Sequence, residues 1–256
     1  MKIAPGVHAV RLLSVYAYLI SEPEMTLIDA GLIGSRRRVE RHVAGLGRSM
    51  GELARIVCTH AHPDHVGGVR EIAGERDVEV LMHPADLSGL SVTLRDAVAN
   101  RNRSQLIAYF TRHPGEATPI EDGQLLPILG GLQVVHTPGH TPGSVCLYAP
   151  RHRLLFVGDA LQVIRGKVTF ASSVFSDDIA LARASVARMA ALDVDTIAFS
   201  HYPPWRDGAS AVLGQLAERA AAMADPSRRS AIHPEAGTTV EPSKMPPFRS
   251  FHAPDE

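Results

Sequence analysis

The chemically richest stretch of the sequence is Thr-His-Ala-His-Pro-Asp-His, which begins at Thr59. It places three imidazoles and one carboxylate within six residues, directly after an apolar run. The pair His60 and His62 can direct two ring nitrogens at one metal ion, while Asp64 and His65 point towards a neighbouring position. Since a proline between them restricts the preceding residue and fixes the turn, the motif predicts a metal site.

Three further residues are candidates to complete the coordination, because one short motif cannot close a coordination sphere. His140 lies in the segment Thr-Pro-Gly-His-Thr-Pro-Gly-Ser, whose prolines and glycines hold a tight loop between two predicted strands. Asp159 and His201 each follow a short apolar run. A lone histidine at a strand end is more often structural than ligating, but the dense motif reverses that expectation.

The composition favours a metal centre built from imidazole and carboxylate. The chain of 256 residues has 13 histidines and only 2 cysteines, so thiolate ligands are scarce. Such ligands around an open site are typical of catalytic metal centres rather than of closed thiolate zinc sites. The 26 basic and 27 acidic residues nearly cancel, which argues against a general binder of nucleic acid or another polyanion.

The candidate ligands follow predicted β-strands. Four apolar runs, each the length of a buried strand, end within two residues of a carboxylate or an imidazole. The runs are Met25–Ile28, 55–58, 154–157 and Thr196–Phe199, and the polar residues after them are, in order, Asp29, His60, Asp159 and His201. Because such strands deliver polar groups to one edge of a sheet, and helical patterns lie between them, we predict a layered α/β fold.

The sequence also predicts where the helices begin and how the chain is divided into a domain, an insertion and a tail. Helices are predicted to begin at Ser35, at the segment Ser176-Asp177-Asp178 and at Asp207. We predict one domain over residues 1–224, with an inserted cap or long loop at 89–120 and a proline-rich C-terminal tail at 225–256. The insertion carries four arginines whose role stays open: Arg95, Arg101, Arg103 and Arg112.

These motifs, in this order, resemble the metallo-β-lactamase superfamily of metallohydrolases over about residues 7 to 205. The resemblance implies a four-layer αβ/βα sandwich with the metals at one edge. It implies two divalent ions, with zinc expected and iron or manganese as alternatives. The implied ligands are His60, His62 and His140 for the first ion, Asp64, His65 and His201 for the second, and Asp159 as a bridge between them. Asp29 is expected to orient a ligand by a hydrogen bond.

The resemblance implies hydrolysis by metal-bound hydroxide, with Asp64 as the residue that also accepts or relays the proton. The substrate would be a small molecule with an ester, thioester, lactone or related bond, as in glyoxalase II-like thioesterases and acyl-homoserine lactonases. The alternative is an oxidoreductase similar to persulfide dioxygenases, which would bind one iron through His60, His140 and Asp159. Iron content and thiol-dependent oxygen uptake distinguish the two hypotheses.

The sequence also carries expectations about location and partners. No start resembling a signal peptide and no run of 18 apolar residues is present, so we expect a cytoplasmic protein that does not contact a membrane. The expected partner is the small-molecule substrate and not nucleic acid. The sequence leaves open whether the protein forms a homodimer.

Overall fold

Two β-sheets face each other and carry helices on their outer surfaces, so the predicted four-layer αβ/βα sandwich is confirmed. The computed structural model describes residues 1–87 and 117–225. The predicted tail therefore lies outside the described residues, apart from position 225. The same holds for most of the predicted cap, whose last residues, Thr118–Pro119, pair with a neighbouring strand. Both segments stay predictions.

The first sheet has seven strands that lie side by side in chain order. They are β1 Lys2–Ala4, β2 Val7–Arg11, β3 Tyr16–Ile20, β4 Met25–Ile28, β5 Leu53–Val57, β6 Glu79–Met82 and β7 Thr118–Pro119. The strands from β1 to β4 pair antiparallel, whereas those from β4 to β7 pair parallel.

The second sheet has five strands in the order β14-β11-β10-β9-β8, and a separate hairpin joins β12 to β13. The strands are β8 Leu125–Leu126, β9 Leu132–His136, β10 Val145–Ala149, β11 Leu154–Gly158, β12 Leu161–Ile164, β13 Lys167–Phe170 and β14 Thr196–Phe199. Within the five-stranded sheet, only β11 and β14 pair parallel.

Six α-helices are present in the described residues: α1 Arg36–Gly45, α2 Pro63–Val66, α3 Val69–Ala73, α4 Pro84–Leu87, α5 Ile179–Ala190 and α6 Ala209–Ala224. Asp178 caps α5 as predicted, because its carboxylate accepts a hydrogen bond from the Leu181 N–H. Ser35 is the N-cap residue of α1, as predicted, but its hydroxyl makes no cap hydrogen bond. At α6 the cap is Gly208, in the left-handed conformation, and not the predicted Asp207.

Three apolar layers hold the sandwich together. The main core lies between the sheets and contains inward side chains of both, such as Val57 and Phe156. The outer face of the first sheet packs on α1 and α3, and the outer face of the second packs on α5 and α6. No helix in the described part of the chain is long and apolar enough to span a membrane.

The strand ends of both sheets converge on one edge. β4 and β5 run parallel, so their carboxyl ends meet at the same edge, and Asp29 and His60 follow them. β11 and β14 are likewise parallel neighbours, and Asp159 and His201 follow those strands. The fold therefore brings polar residues from both sheets to one place, as the strand pattern predicts.

Candidate metal centre

All seven predicted ligands lie in one cluster. Each offers an atom to a group of three in which the candidate ligand atoms lie within 4.8 Å of one another. The groups are His60, His62 and His140; Asp64, His65 and His201; and His60, His65 and Asp159. The first two match the two ligand sets that the family resemblance implies, and no predicted ligand is left outside the cluster.

Local structure explains how the dense motif presents its side chains. His62 has extended backbone, and Pro63 is the first residue of the one-turn helix α2, a position that proline favours because its fixed φ suits a helix start. The helix begins directly after His62 and carries Asp64 and His65, so that one short segment contributes to all three groups.

Asp159 lies between the two groups. Its Oδ2 atom is 3.6 Å from His140 Nε2 and 3.1 Å from His201 Nε2, and its Oδ1 atom is 3.4 Å from His65 Nε2. Asp64 is closer to one group only, with its Oδ2 atom 3.4 Å from His201 Nε2. A single carboxylate thus reaches candidate ligand atoms of both sets, which is the arrangement a bridging ligand requires.

Hydrogen bonds from Asp29 fix which ring nitrogens carry protons. Its buried carboxylate only accepts, so His65 donates from Nδ1 at 2.8 Å and the Thr59 hydroxyl donates at 2.9 Å. Because that hydroxyl donates its proton to Asp29, it accepts from His60 Nδ1 at 3.0 Å. Both Nε2 atoms are therefore left to face the cluster. The role expected for Asp29, to orient a histidine of the site, matches these contacts.

The same reasoning applies to His140. The Ser176 hydroxyl donates to the Ser172 carbonyl at 2.6 Å, so it accepts the proton of His140 Nδ1 at 3.2 Å. The lone pair of His140 Nε2 then faces the cluster, 2.9 Å from His62 Nδ1. Two ring nitrogens this close together could both coordinate one metal ion.

The fit of metal ions to this site can be judged from its buried polar atoms that lack hydrogen-bond partners. Within the described residues, His60 Nε2, His65 Nε2 and Asp159 Oδ1 are buried and have no hydrogen-bond partner. A buried polar atom left unpaired is costly, about 1–3 kcal/mol. All three atoms belong to the cluster and face one another. The residues present therefore fit metal ions, which would use these atoms as ligands.

Burial and charge divide the histidines into two kinds. Burial lowers the pKa of His140 to about 4 and holds the pKa of His60 well below its usual range. These rings are neutral at pH 7, the form that binds metal. Burial also opposes protonation of His65, but the adjacent carboxylates of Asp29 and Asp159 hold its pKa well above the usual range.

The carboxylates create a field that favours positive charge. Burial alone would raise the pKa of Asp159, but His65 and the hydrogen bond from His201 keep that pKa well below its usual range. The same hydrogen bond raises the pKa of His201. An anion held in a buried cluster of this kind stabilises a nearby cation, whether a proton or a metal ion supplies the charge.

Gly158 allows the two sheets to approach each other at the site. Its φ of +50° lies in the left-handed region, and a Cβ atom there would lie 2.8 Å from the Thr59 hydroxyl oxygen. A side chain at this position would displace the hydroxyl that connects Asp29 with His60. Gly158 therefore permits the left-handed backbone at the end of β11 and leaves room for the Thr59 hydroxyl.

Asp86 is a residue of the site that sequence reasoning missed. Its buried carboxylate accepts hydrogen bonds from the Ala61 N–H, the Thr141 hydroxyl and the Gly143 N–H, at 2.8, 2.8 and 2.6 Å. The first donor lies in the His60–His62 segment, and the other two lie in the loop of His140. Asp86 therefore ties together the two segments that supply the first group of three.

Two other histidines lie outside the cluster. The rings of His83 and His136 stack on each other, with centroids 4.0 Å apart and planes 12° from parallel. Both side chains are half-buried, and the His136 Nε2 atom lies 2.9 Å from the Pro142 carbonyl oxygen. This pair therefore packs beside the loop of His140 and is not part of the cluster.

We expect Thr59→Val to weaken metal binding about 10- to 100-fold, because it removes the hydroxyl that orients His60 and contacts Asp29. The affinity is measured by competition with a chromophoric zinc chelator. Thr59→Ser keeps the hydroxyl, so its zinc affinity should lie within about threefold of the affinity of the parent chain. Equal affinities for the valine and serine variants would show that the hydroxyl does not orient the ligand.

The fold and the site together define a class of protein: a four-layer αβ/βα sandwich with a histidine and carboxylate cluster at the carboxyl ends of its strands. Residues 10–201 match the family model of the metallo-beta-lactamase superfamily, and the chain belongs to this superfamily. The match includes the strands from β3 to β14 and all seven residues of the cluster.

Two curated relatives give the range of similarity. The probable metallo-hydrolase YflN of Bacillus subtilis is 28% identical over 227 residues, which cover 78% of this chain and 85% of that protein. The hydroxyacylglutathione hydrolase of Pseudomonas aeruginosa (strain LESB58) is 31% identical over 152 residues. Those residues cover 56% of this chain but only 45% of that enzyme. The chain is thus related to metallohydrolases.

Solved structures show the same fold. The metallo-beta-lactamase family protein TTHA1429 from Thermus thermophilus has a TM-score of 0.70 at 24% identity, covering 87% of this chain and 82% of that chain. TTHA1623, solved in a di-iron-bound form, has a TM-score of 0.60 at 29% identity, covering 80% of this chain and 96% of that chain.

Proposed function

We propose that the protein is a hydrolase that acts on a small molecule and depends on two divalent metal ions. His60, His62 and His140 would hold the first ion, and Asp64, His65 and His201 the second. Asp159 would bridge them. Zinc is the first candidate, and iron is the second because the relative TTHA1623 was solved with two irons.

The observation that carries this proposal is the set of unpartnered atoms at the centre of the cluster. His60 Nε2, His65 Nε2 and Asp159 Oδ1 are buried without hydrogen-bond partners in the described residues, and the opposite nitrogens of both rings are already committed. The lone pairs of His60 Nε2 and Asp159 Oδ1 are preorganised ligands, and His65 Nε2 would become one when a metal ion replaces its proton. A structural core of histidines would instead pair these atoms with one another or with the backbone.

Metal ions bound here would supply Lewis acidity and would lower the pKa of water enough to give a hydroxide at neutral pH. The protein's own groups contribute position and proton transfer. Asp64 and His201 line a cavity beside the cluster, with Asp64 Oδ2 3.4 Å from His201 Nε2. Asp64 is thereby located to accept a proton as the substrate bond is cleaved, and His201 to orient that carboxylate.

Metal analysis joined to a substrate panel tests the proposal. The protein is purified without added metal, and its metal content is measured before and after zinc or iron is supplied. We expect about two equivalents of metal, as in two-metal hydrolases, together with hydrolysis of at least one among esters, thioesters, lactones and phosphodiesters. One equivalent of iron with thiol-dependent oxygen uptake and no hydrolysis would instead support the persulfide dioxygenase-like alternative and refute the hydrolase.

A further inference from the structure

An apolar cavity of about 330 Å³ opens beside the candidate metal centre. Four residues of the cluster line one side of it: His62, Asp64, Asp159 and His201. The rest of its wall consists of Leu32, Pro63, Phe175 and Ser14. Among the residues that the structure describes, no lysine or arginine lines this cavity. Its volume lies within the range of about 300–1,000 Å³ that small-molecule sites occupy.

Exposed apolar side chains line this cavity or are adjacent in the chain to residues that line it. Phe175 is 61% exposed, and its neighbour Val174 is 81% exposed. Leu13 and Ile33, at 50% and 51% exposure, each lie next in the chain to a lining residue. Single exposed apolar residues are common, but a group around a cleft marks a surface that binds apolar ligands.

A second cavity, of about 290 Å³, adjoins the cluster and has a different chemical character. Gln162, Ser172 and Tyr202 supply polar groups to its wall. Asp159, Phe175 and His201 line both cavities. The site therefore has an apolar side and a polar side, with the candidate ligands between them.

We propose that the substrate is an uncharged acyl compound whose apolar acyl chain occupies the cavity formed by Leu32, Pro63 and Phe175. The polar leaving group then faces Gln162, Ser172 and Tyr202. This inference rests on the proposed function and names its substrate class. In the reaction, the oxygen of water joins the acyl carbon, the bond from that carbon to oxygen or sulfur breaks, and the alcohol or thiol leaves with a proton.

Solvation favours a neutral acyl chain over a charged one. Apolar groups gain about 0.8 kcal/mol for each buried methylene, which is about a fourfold increase in binding per methylene. A carboxylate placed in the same cavity would lose water and, on the side formed by Leu32, Pro63 and Phe175, find Ser14 as the one polar residue among those described. An acyl chain that ends in a carboxylate thus suits the described lining less well than a simple fatty acyl chain.

A chain-length series tests this inference. The metal-loaded protein is assayed with p-nitrophenyl acetate, butyrate, hexanoate and octanoate, and with p-nitrophenyl hemisuccinate, in which a carboxylate replaces the terminal methyl group of the butyrate. We expect kcat/KM to rise at least tenfold from acetate to hexanoate, since partial burial of four methylenes supplies about that factor. The hemisuccinate should react at least tenfold more slowly than the butyrate, because its carboxylate loses hydration.

Variants locate the effect in the cavity. Leu32→Ala and Phe175→Ala should each lower kcat/KM for the octanoate about fivefold or more, as expected for lost apolar contact, and should change the acetate value less than twofold. Leu125→Ala is the matched control, because Leu125 is 66% exposed and lines neither cavity. Its values should equal those of the parent chain for every ester.

Binding without turnover separates this inference from the proposed function. Isothermal titration calorimetry should detect octanoate binding at least tenfold tighter than acetate binding, and Phe175→Ala should remove most of that difference. Hydrolysis with no dependence on chain length, or equal affinity for the two carboxylates, would overturn the acyl-chain inference alone. Failure to hydrolyse any substrate of the panel, with metal bound, would overturn the proposed function instead.

Discussion

Asp159→Ala should abolish hydrolysis and reduce the bound metal from about two equivalents to one or fewer. The reason is geometric, because the two oxygens of this carboxylate approach His65, His140 and His201 at 3.1 to 3.6 Å. Without it, two ions would lose their shared ligand. We expect kcat/KM to fall at least about a thousandfold, which corresponds to ~4 kcal/mol of transition-state stabilisation.

The fold should survive this substitution. Asp159 follows β11 at the edge of the sandwich and belongs to none of the three apolar layers. Far-ultraviolet circular dichroism and metal content are measured together with kinetics. Asp195→Ala is the control, since the Asp195 carboxylate is 57% exposed and pairs with Arg153 away from the cluster. Full activity and two equivalents of metal in Asp159→Ala would refute the bridging role.

The strands that carry the site could be predicted from the sequence because the signal is local. Each of the four apolar runs was short enough for a buried strand, and each ended at a group able to bind metal. Parallel pairing of β4 with β5 and of β11 with β14 then brings those ends to one edge. Once the alternation of strands and helices was recognised, the convergence of Asp29, His60, Asp159 and His201 followed from the geometry of sheets.

The supporting contacts could not be predicted, because they join distant segments. Asp86 lies 25 residues from Ala61 and 57 residues from Gly143, and its own segment resembles an ordinary helix start. Thr59 begins the dense motif, but the sequence does not indicate that its hydroxyl donates to Asp29, which lies 30 residues away. The cap predicted at Asp207 differs for a local reason, because the left-handed backbone of Gly208 makes that glycine the N-cap of α6.

Asp86→Asn should have the second-largest effect, on both stability and metal affinity. All three partners of Asp86 are donors, and a carboxylate accepts at both oxygens. The asparagine amide would turn one acceptor into an N–H group that faces another donor. Losing a buried hydrogen bond to a charged group costs about 1.5–3 kcal/mol, so we expect the melting temperature of the metal-free protein to fall by roughly 5–10 °C.

Metal affinity separates a positioning role for Asp86 from a merely structural one. If its carboxylate sets the spacing between the His62 segment and the His140 loop, zinc affinity should fall about 10- to 100-fold even at temperatures where the variant is fully folded. Asp122→Asn is the matched control, because Asp122 also accepts a backbone N–H, from His136, but is partly exposed and lies outside the cluster. It should bind zinc as the parent chain does. If Asp86→Asn is destabilised but its zinc affinity is unchanged, then Asp86 stabilises the fold and does not set the spacing of the ligands.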